Sequence, residues 1–108
     1  MEQNVILNNE RKFQQIGKKS VEILEEVYDA DEGIVKVFSI DNHLCFFNDS
    51  TIQVDDIPVR VCSFHKALDE FPLMVGIFDF SSDMWLVKAG SNEFRTTSPL
   101  ETAIRQMR

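Results

Sequence analysis

Asn9-Glu10-Arg11-Lys12-Phe13-Gln14-Gln15-Ile16-Gly17-Lys18-Lys19-Ser20-Val21-Glu22-Ile23-Leu24-Glu25-Glu26-Val27-Tyr28-Asp29 is the stretch on which the fold class turns. Phe13, Ile16, Ile23, Leu24, Val27 and Tyr28 fall near one wide face at helical spacing, which predicts a main helix over residues 9–29. Asn8 or Asn9 would cap its start. Gly17 would weaken its middle by ~1 kcal/mol relative to Ala. Glu22, Glu25, Glu26, Asp29, Asp31 and Glu32 crowd the C-terminal half, the wrong end for a helix dipole, at ~0.3–1 kcal/mol per charge. A local cost of that kind hints at a use, although a solvated face explains it equally well. Upstream, Val5-Ile6-Leu7 reads as a short strand or as the helix's first turn.

Working outward, Gly33 ends the helix and residues 34–40, rich in β-branched side chains, read as a strand. Asp41-Asn42 is a two-residue turn signal, and residues 43–47 return as the second strand of a hairpin. Asn48-Asp49-Ser50 turns again. A third strand, residues 51–54 and 59–64, is interrupted at Asp55-Asp56-Ile57-Pro58, because Pro58 cannot donate to a ladder; the interruption is a bulge, an edge, or a loop between two short strands. Ser63 caps a short helix that Pro72 stops. Residues 73–80, 84–89 and 93–96 are strands, the first of them the most apolar. Ser98-Pro99-Leu100-Glu101 opens a last helix with its apolar stripe on Leu100, Ala103, Ile104 and Met107. The expectation is a single α+β domain over residues 1–108. It has an antiparallel sheet of five to six strands, an N-terminal helix, a short middle helix and a C-terminal helix.

The chain has 108 residues, of which 44% are hydrophobic and nine are Phe, enough for one ordinary core without staples. No apolar run approaches the ~18 residues of a membrane span, and the start lacks the basic and apolar regions of a signal peptide. A cytoplasmic location follows as the expectation, with Cys45 and Cys62 as packed thiols and no disulfide framework.

Charge is distributed in three blocks. Residues 1–20 and 87–108 each carry a balance of +2, and residues 21–86 carry −11, for a total of −7. An acidic middle repels nucleic acid and anionic lipid and attracts basic protein surfaces. The acidic segments at residues 25–32, 49–56 and 79–83 sit at expected element ends beside Tyr28, Phe47, Ile52 and Trp85. Carboxylates around aromatic anchors can hold an Arg- or Lys-rich partner, charge speeding the encounter and the anchors supplying affinity. A solvated acidic face that aids solubility is the competing explanation. Candidate contacts are Glu25, Glu26, Asp29, Asp31, Glu32, Asp55 and Asp56, with Tyr28 and Phe47 as anchors. The partner so implied is a basic protein, a nuclease toxin or a nucleic-acid-handling enzyme, with no direct contact to nucleic acid or membrane.

Enzyme signatures are sparse, and the expectation is a non-enzyme without a cofactor. His43, Cys45, Cys62 and His65 are the soft metal ligands, and they would make a two-Cys, two-His zinc site if their strands paired so as to converge. Cys62 and His65 also offer a nucleophile pair at an expected helix start, without an orienting third group. The Asp pairs sit at turns, where they serve as backbone caps. The four glycines are dispersed, so no phosphate-binding loop can be built.

The stretch Met84-Trp85-Leu86-Val87, followed by Thr97-Ser98-Pro99-Leu100-Glu101-Thr102-Ala103-Ile104-Arg105, resembles the end of small phage proteins of the ABA-sandwich type: a Trp strand, a polar turn, then a Ser/Thr-Pro-x-x-Ala helix. The resemblance covers roughly residues 75–108 and implies a mobile-element origin more than an activity. In size and charge the chain is similar to cytoplasmic immunity proteins that neutralise nuclease toxins.

Overall fold

The computed structural model describes residues 12–30 and 33–107. Eight strands run in chain order: β1 (Lys12–Ile16), β2 (Lys19–Asp29), β3 (Gly33–Ile40), β4 (His43–Val54), β5 (Ile57–Lys66), β6 (Met74–Asp79), β7 (Met84–Ala89) and β8 (Asn92–Thr96). They form one antiparallel meander in which every strand pairs with its sequence neighbour, and α1 (Pro99–Gln106), the single helix among the described residues, follows. The α+β architecture with three helices and five to six strands is therefore corrected to a predominantly β one.

The largest correction concerns residues 9–29. Gly17, at φ +62°, is the turn of a β1–β2 hairpin, and residues 19–29 form a strand of 11 residues. The helix-like spacing has a specific origin. The β2–β3 register slips between Ile23 and Glu25, so Leu24 is an extra residue in the ladder. Ile23 and Leu24 become adjacent apolar residues, and Val27 and Tyr28 follow four residues behind each. A bulged strand thus imitates a helical repeat. With no helix here, the acidic C-terminal half opposes no dipole. The cap proposed at Asn8 or Asn9 and the segment Val5-Ile6-Leu7 lie outside the described residues.

The middle helix is also absent. Residues 63–66 continue β5, held by the Cys45↔Lys66 and Phe46↔His65 pairs, and residues 67–73 form the loop to β6. In the same region Asn48-Asp49-Ser50 lies inside the 12-residue β4 rather than at a turn. The turn is Asp55-Asp56, with both residues at positive φ (51° and 65°), as a two-residue type I′ hairpin requires; Asp41-Asn42 repeats the geometry between β3 and β4. α1 begins with Pro at its first turn, but Ser98 makes no side-chain cap. The Thr102 hydroxyl instead donates to the Ser98 carbonyl at 2.9 Å, and the Ser98 N–H donates to Thr96 Oγ1 at 2.9 Å.

Paired residues project to the same face. One face carries Ile16, Val21, Phe38, Ile40, Cys45, Phe47, Cys62, Phe64, Met74, Trp85 and Val87, all buried with Ala103 and Ile104 of α1. The helix touches β1, β5 and β7. Laid flat, β1 and β7 would stand ~29 Å apart, whereas eight helical residues span only ~12 Å. The sheet must therefore curl around α1, and this core face is concave. Gly76 sits on it between Cys62 and Val87, where a Cβ would come within 2.7 Å of the Cys62 Sγ and 2.8 Å of Val87 Cγ1.

Candidate functional site: an acidic rim and a projecting hairpin

In a nearest-neighbour meander alternate turns share a rim. The β2–β3, β4–β5 and β6–β7 turns therefore lie on one side of the sheet, and these are the acidic ones. Asp29 closes β2 opposite Gly33, Asp55-Asp56 joins β4 to β5, and Asp79 and Asp83 frame the β6–β7 turn. α1 packs toward the other end, where Arg105 flanks Gly17.

The three turns do not stand level. β3 last pairs with β4 at Ile34↔Asp49, and β6 last pairs with β5 at Val61↔Ile77. Beyond those pairs, residues 50–54 and 57–60 bond mainly to each other, up to Val54↔Ile57. The β4–β5 hairpin thus projects about 17 Å past the last β3–β4 pair as a two-stranded finger. Neighbouring turns along the rim are two strand spacings apart, about 10 Å. Both separations exceed the ~8 Å over which charge acts at physiological salt. The rim therefore presents separate acidic points rather than one continuous patch.

Local chemistry explains how the finger stands. In a two-residue hairpin the flanking pair, Val54↔Ile57, exchanges both ladder bonds, so the next pair, Gln53↔Pro58, is a non-bonded one. The position of the missing Pro58 N–H faces outward, and the ladder loses nothing. The Arg60 guanidinium holds the base. It donates to Asp49 through Nε (3.1 Å) and Nη2 (2.8 Å), and lies 5.4 Å from the centroid of Phe78 and 5.1 Å from that of Trp85. Donating these hydrogen bonds to the Asp49 carboxylate raises the Arg60 pKa further. Phe78 meets both Trp85 and Phe80 edge-on, extending the aromatic cluster along β6 and β7.

The acids therefore divide by role. Asp49 is committed to Arg60. Asp79 is committed to its own turn, accepting from the Ser81 hydroxyl (2.7 Å), the Ser81 N–H (3.0 Å) and the Ser82 hydroxyl (2.9 Å), and these bonds hold its pKa below the usual value. Glu25, Glu26, Asp55 and Asp56 are exposed, Glu26 facing Lys36 across the strand pair. Asp31 and Glu32 lie outside the described residues. Of the two expected anchors, Tyr28 is 77% exposed, while Phe47 is 5% exposed and belongs to the core. The apolar residues that do stand beside the acidic tip are Ile52, Val54 and Ile57, at 46%, 47% and 63% exposure. Val54 and Ile57 escape a reading that treats residues 55–58 as a break. Counting outward from a type I′ turn at Asp55-Asp56 would have found them, and would also have put Asp49 and Arg60 on one face.

The four soft ligands are not brought together. His43, Cys45 and Cys62 belong to the concave side, and His65, paired with Phe46, belongs to the convex one. The His65 ring nitrogen Nε2 lies 3.2 Å from the Ser63 hydroxyl. Cys45 donates to the His43 carbonyl at 3.5 Å. Burial pushes both thiols up in pKa, Cys62 to about 12, with the Asp49 carboxylate adding to the effect. A thiol in that state is a packed side chain and a poor nucleophile at neutral pH. Among the described residues no group of three or more His, Cys, Asp or Glu is placed to hold a metal ion, and no helix is long and apolar enough to cross a membrane.

Set against protein-family models, curated proteins and solved structures, the chain matches none.

Proposed function

We propose that the protein is a binding module that engages a basic protein partner through its acidic rim, with the β4–β5 finger leading. In this reading it acts as an inhibitor of immunity type, covering the anion-binding surface of a nuclease or another nucleic-acid-handling protein. The observation that carries the reading is the finger itself. An ordered two-stranded element ends in two exposed carboxylates and carries Ile52, Val54 and Ile57 in water. Acid at the tip speeds encounter with a cationic surface, and the apolar side chains gain by burial at about 25 cal/mol per Å². Because the three acidic turns stand apart, the partner surface must be broad and basic rather than a single cationic pocket. The C-terminal resemblance adds the proposal that the chain is of mobile-element origin.

The test uses the double variant Asp55→Asn, Asp56→Gly. It removes both tip charges while supplying the residue pair that a type I′ turn prefers, so the finger keeps its fold. Binding to a panel of purified basic nucleases is measured by calorimetry at low and high salt, alongside nuclease activity. The expected result is tight, salt-sensitive binding by the wild type and at least about tenfold weaker binding by the variant. Affinities indifferent to both salt and the variant would remove the electrostatic docking role.

A further inference from the structure

Opposite α1, the convex face of the sheet is apolar where an antiparallel sheet of one layer would ordinarily be polar. Strand pairing places Val27, Val35, Val37, Phe46, Val61, Val75, Ile77 and Leu86 on it. Val27, Val75 and Ile77 are 42%, 44% and 45% exposed, and the other five are half-buried. The polar residues among them are the small Asn48, Ser50 and Ser63, with His65 beside Phe46. Charged residues share the face toward its margins: Glu22 and Glu25 on β2, Asp79 at the end of β6, and Lys88, Glu93 and Arg95 on β7 and β8. Sheets with two apolar faces are stable when both are covered, and α1 covers one.

We propose that this face is covered by a second copy of the same chain, the two sheets packing back to back about a two-fold axis. Three observations favour a copy over a foreign protein. The centre of the face carries no Asp, Glu, Lys or Arg, and His65 is its one ionisable residue, so two chains of net charge −7 meet there without carboxylate repulsion. Two identical sheets share one twist, which is the condition for aligned packing near −30°. The charge asymmetry between the rims selects the axis. A two-fold along the strands would lay acidic rim on acidic rim. A two-fold perpendicular to the strands lays Asp29, Asp55, Asp56, Asp79 and Asp83 toward the partner's far end, where Lys18, Lys19, Lys66 and Arg105 outnumber Asp41, Asp69 and Glu70.

The curl of the sheet sets the strength. Two convex faces meet along their central strands, β3 to β6, about 19 Å wide and about 25 Å long, or roughly 480 Å² of footprint per copy. That total is close to the ~1,000 Å² at which specific association begins and below the ~1,600 Å² of a standard interface. The dimer is accordingly reversible, with Kd in the micromolar range. It occupies the middle of the sheet and stands independently of the partner proposed for the acidic rim.

Sedimentation velocity from about 1 to about 500 µM reads the proposal directly. The expected result is a monomer–dimer equilibrium, with a melting temperature that rises with protein concentration. Ile77→Lys places an ammonium group from each copy in the contact along β6 and weakens the dimer at least about 30-fold. Should that variant fail to fold, Ile77→Thr keeps the β-branched strand residue and still weakens association measurably, while the concentration-dependent melting needs no variant. A wild type monomeric throughout the range overturns the proposal and leaves the face to residues 1–11 or to a foreign protein. A dimer indifferent to both substitutions overturns it too, because the contact then lies elsewhere.

Discussion

The half of the sheet that wraps α1 and the half that ends in the β4–β5 finger are built from the same strands, yet they obey different rules. Near the helix, alternation is strict: along β7, Trp85 and Val87 are buried while Leu86 and Lys88 face out. Along the finger, Thr51, Ile52, Gln53 and Val54 are all exposed, and the ladder alone holds the backbone. Stability is concentrated where two layers meet, whereas the outer hairpin depends on its turn and on the Arg60 clamp at its base. An isolated two-stranded hairpin is marginal in water, so the clamp and the parent sheet below it keep the finger in shape.

Substitutions measure how far apart the two halves are. The largest loss is expected from Ile104→Ala. Ile104 is fully buried in α1 against the concave face, so truncation opens a cavity at about 2–5 kcal/mol, read by urea denaturation. Gly76→Ala follows at about 1–3 kcal/mol, because the new Cβ presses on Cys62 and Val87 in a core without slack. Arg60→Lys is expected to cost about 1 kcal/mol. Lysine keeps the charge and loses both the bidentate geometry and the stacking on Phe78 and Trp85. Faster amide exchange confined to residues 50–60 would separate a loosened finger from a weakened core. Ile57→Ser should fall within about 0.5 kcal/mol, since Ile57 is already in water. A cost comparable to that of Ile104→Ala would show that the two halves form one core and that the contrast is false.

The thiols give a pH version of the same contrast. In the folded chain Cys62 has its pKa raised to about 12 by burial, above the ordinary value of 9.0. The folded state therefore binds the proton more tightly than the unfolded one. This contribution to stability is complete below about pH 9 and is lost as pH rises toward 12. Denaturation midpoints of the wild type should decline over that window, and Cys62→Ala should decline less. Alkylation at neutral pH should be slow for both cysteines in the native protein and rapid in denaturant.

How much of this was legible depends on where local chemistry and tertiary pairing agree. α1 was legible because Pro99, the acidic first turn and the Leu100–Ala103–Ile104–Met107 stripe all specify a helix, and nothing in the fold opposes it. β3, β7 and the Asp41-Asn42 turn were legible for the same reason. Residues 19–29 were not, because a bulge at Leu24 inserts one residue into a period of two and yields the spacing of a helix. In the middle of the chain two turn signals competed. Asn48-Asp49-Ser50 lost because Asp49 is used on the sheet face by Arg60, eleven residues away, a pairing that no local window contains. The three acidic segments were readable as composition, but their sharing of one rim was not, because it follows from the nearest-neighbour strand order. The height of the finger was not readable, because it depends on where β3 and β6 stop pairing, which is settled by their partners. Phe47 was misplaced as an anchor for a simpler reason: in a strand of 12 residues, parity decides which face a side chain takes, and parity can be counted only from the correct turn.

The strict neighbour-to-neighbour order of the meander also governs the sequence of events as the chain forms. Each strand finds its mate within a short loop of itself, so the sheet can zip from any hairpin outward at small entropic cost. The exception is the docking of α1 on β1, which joins the two extremities of the described fold. Curling of the sheet into its final shape must therefore wait for the last helix to emerge. Until then, both surfaces of the growing ribbon stand open to whatever else is in solution.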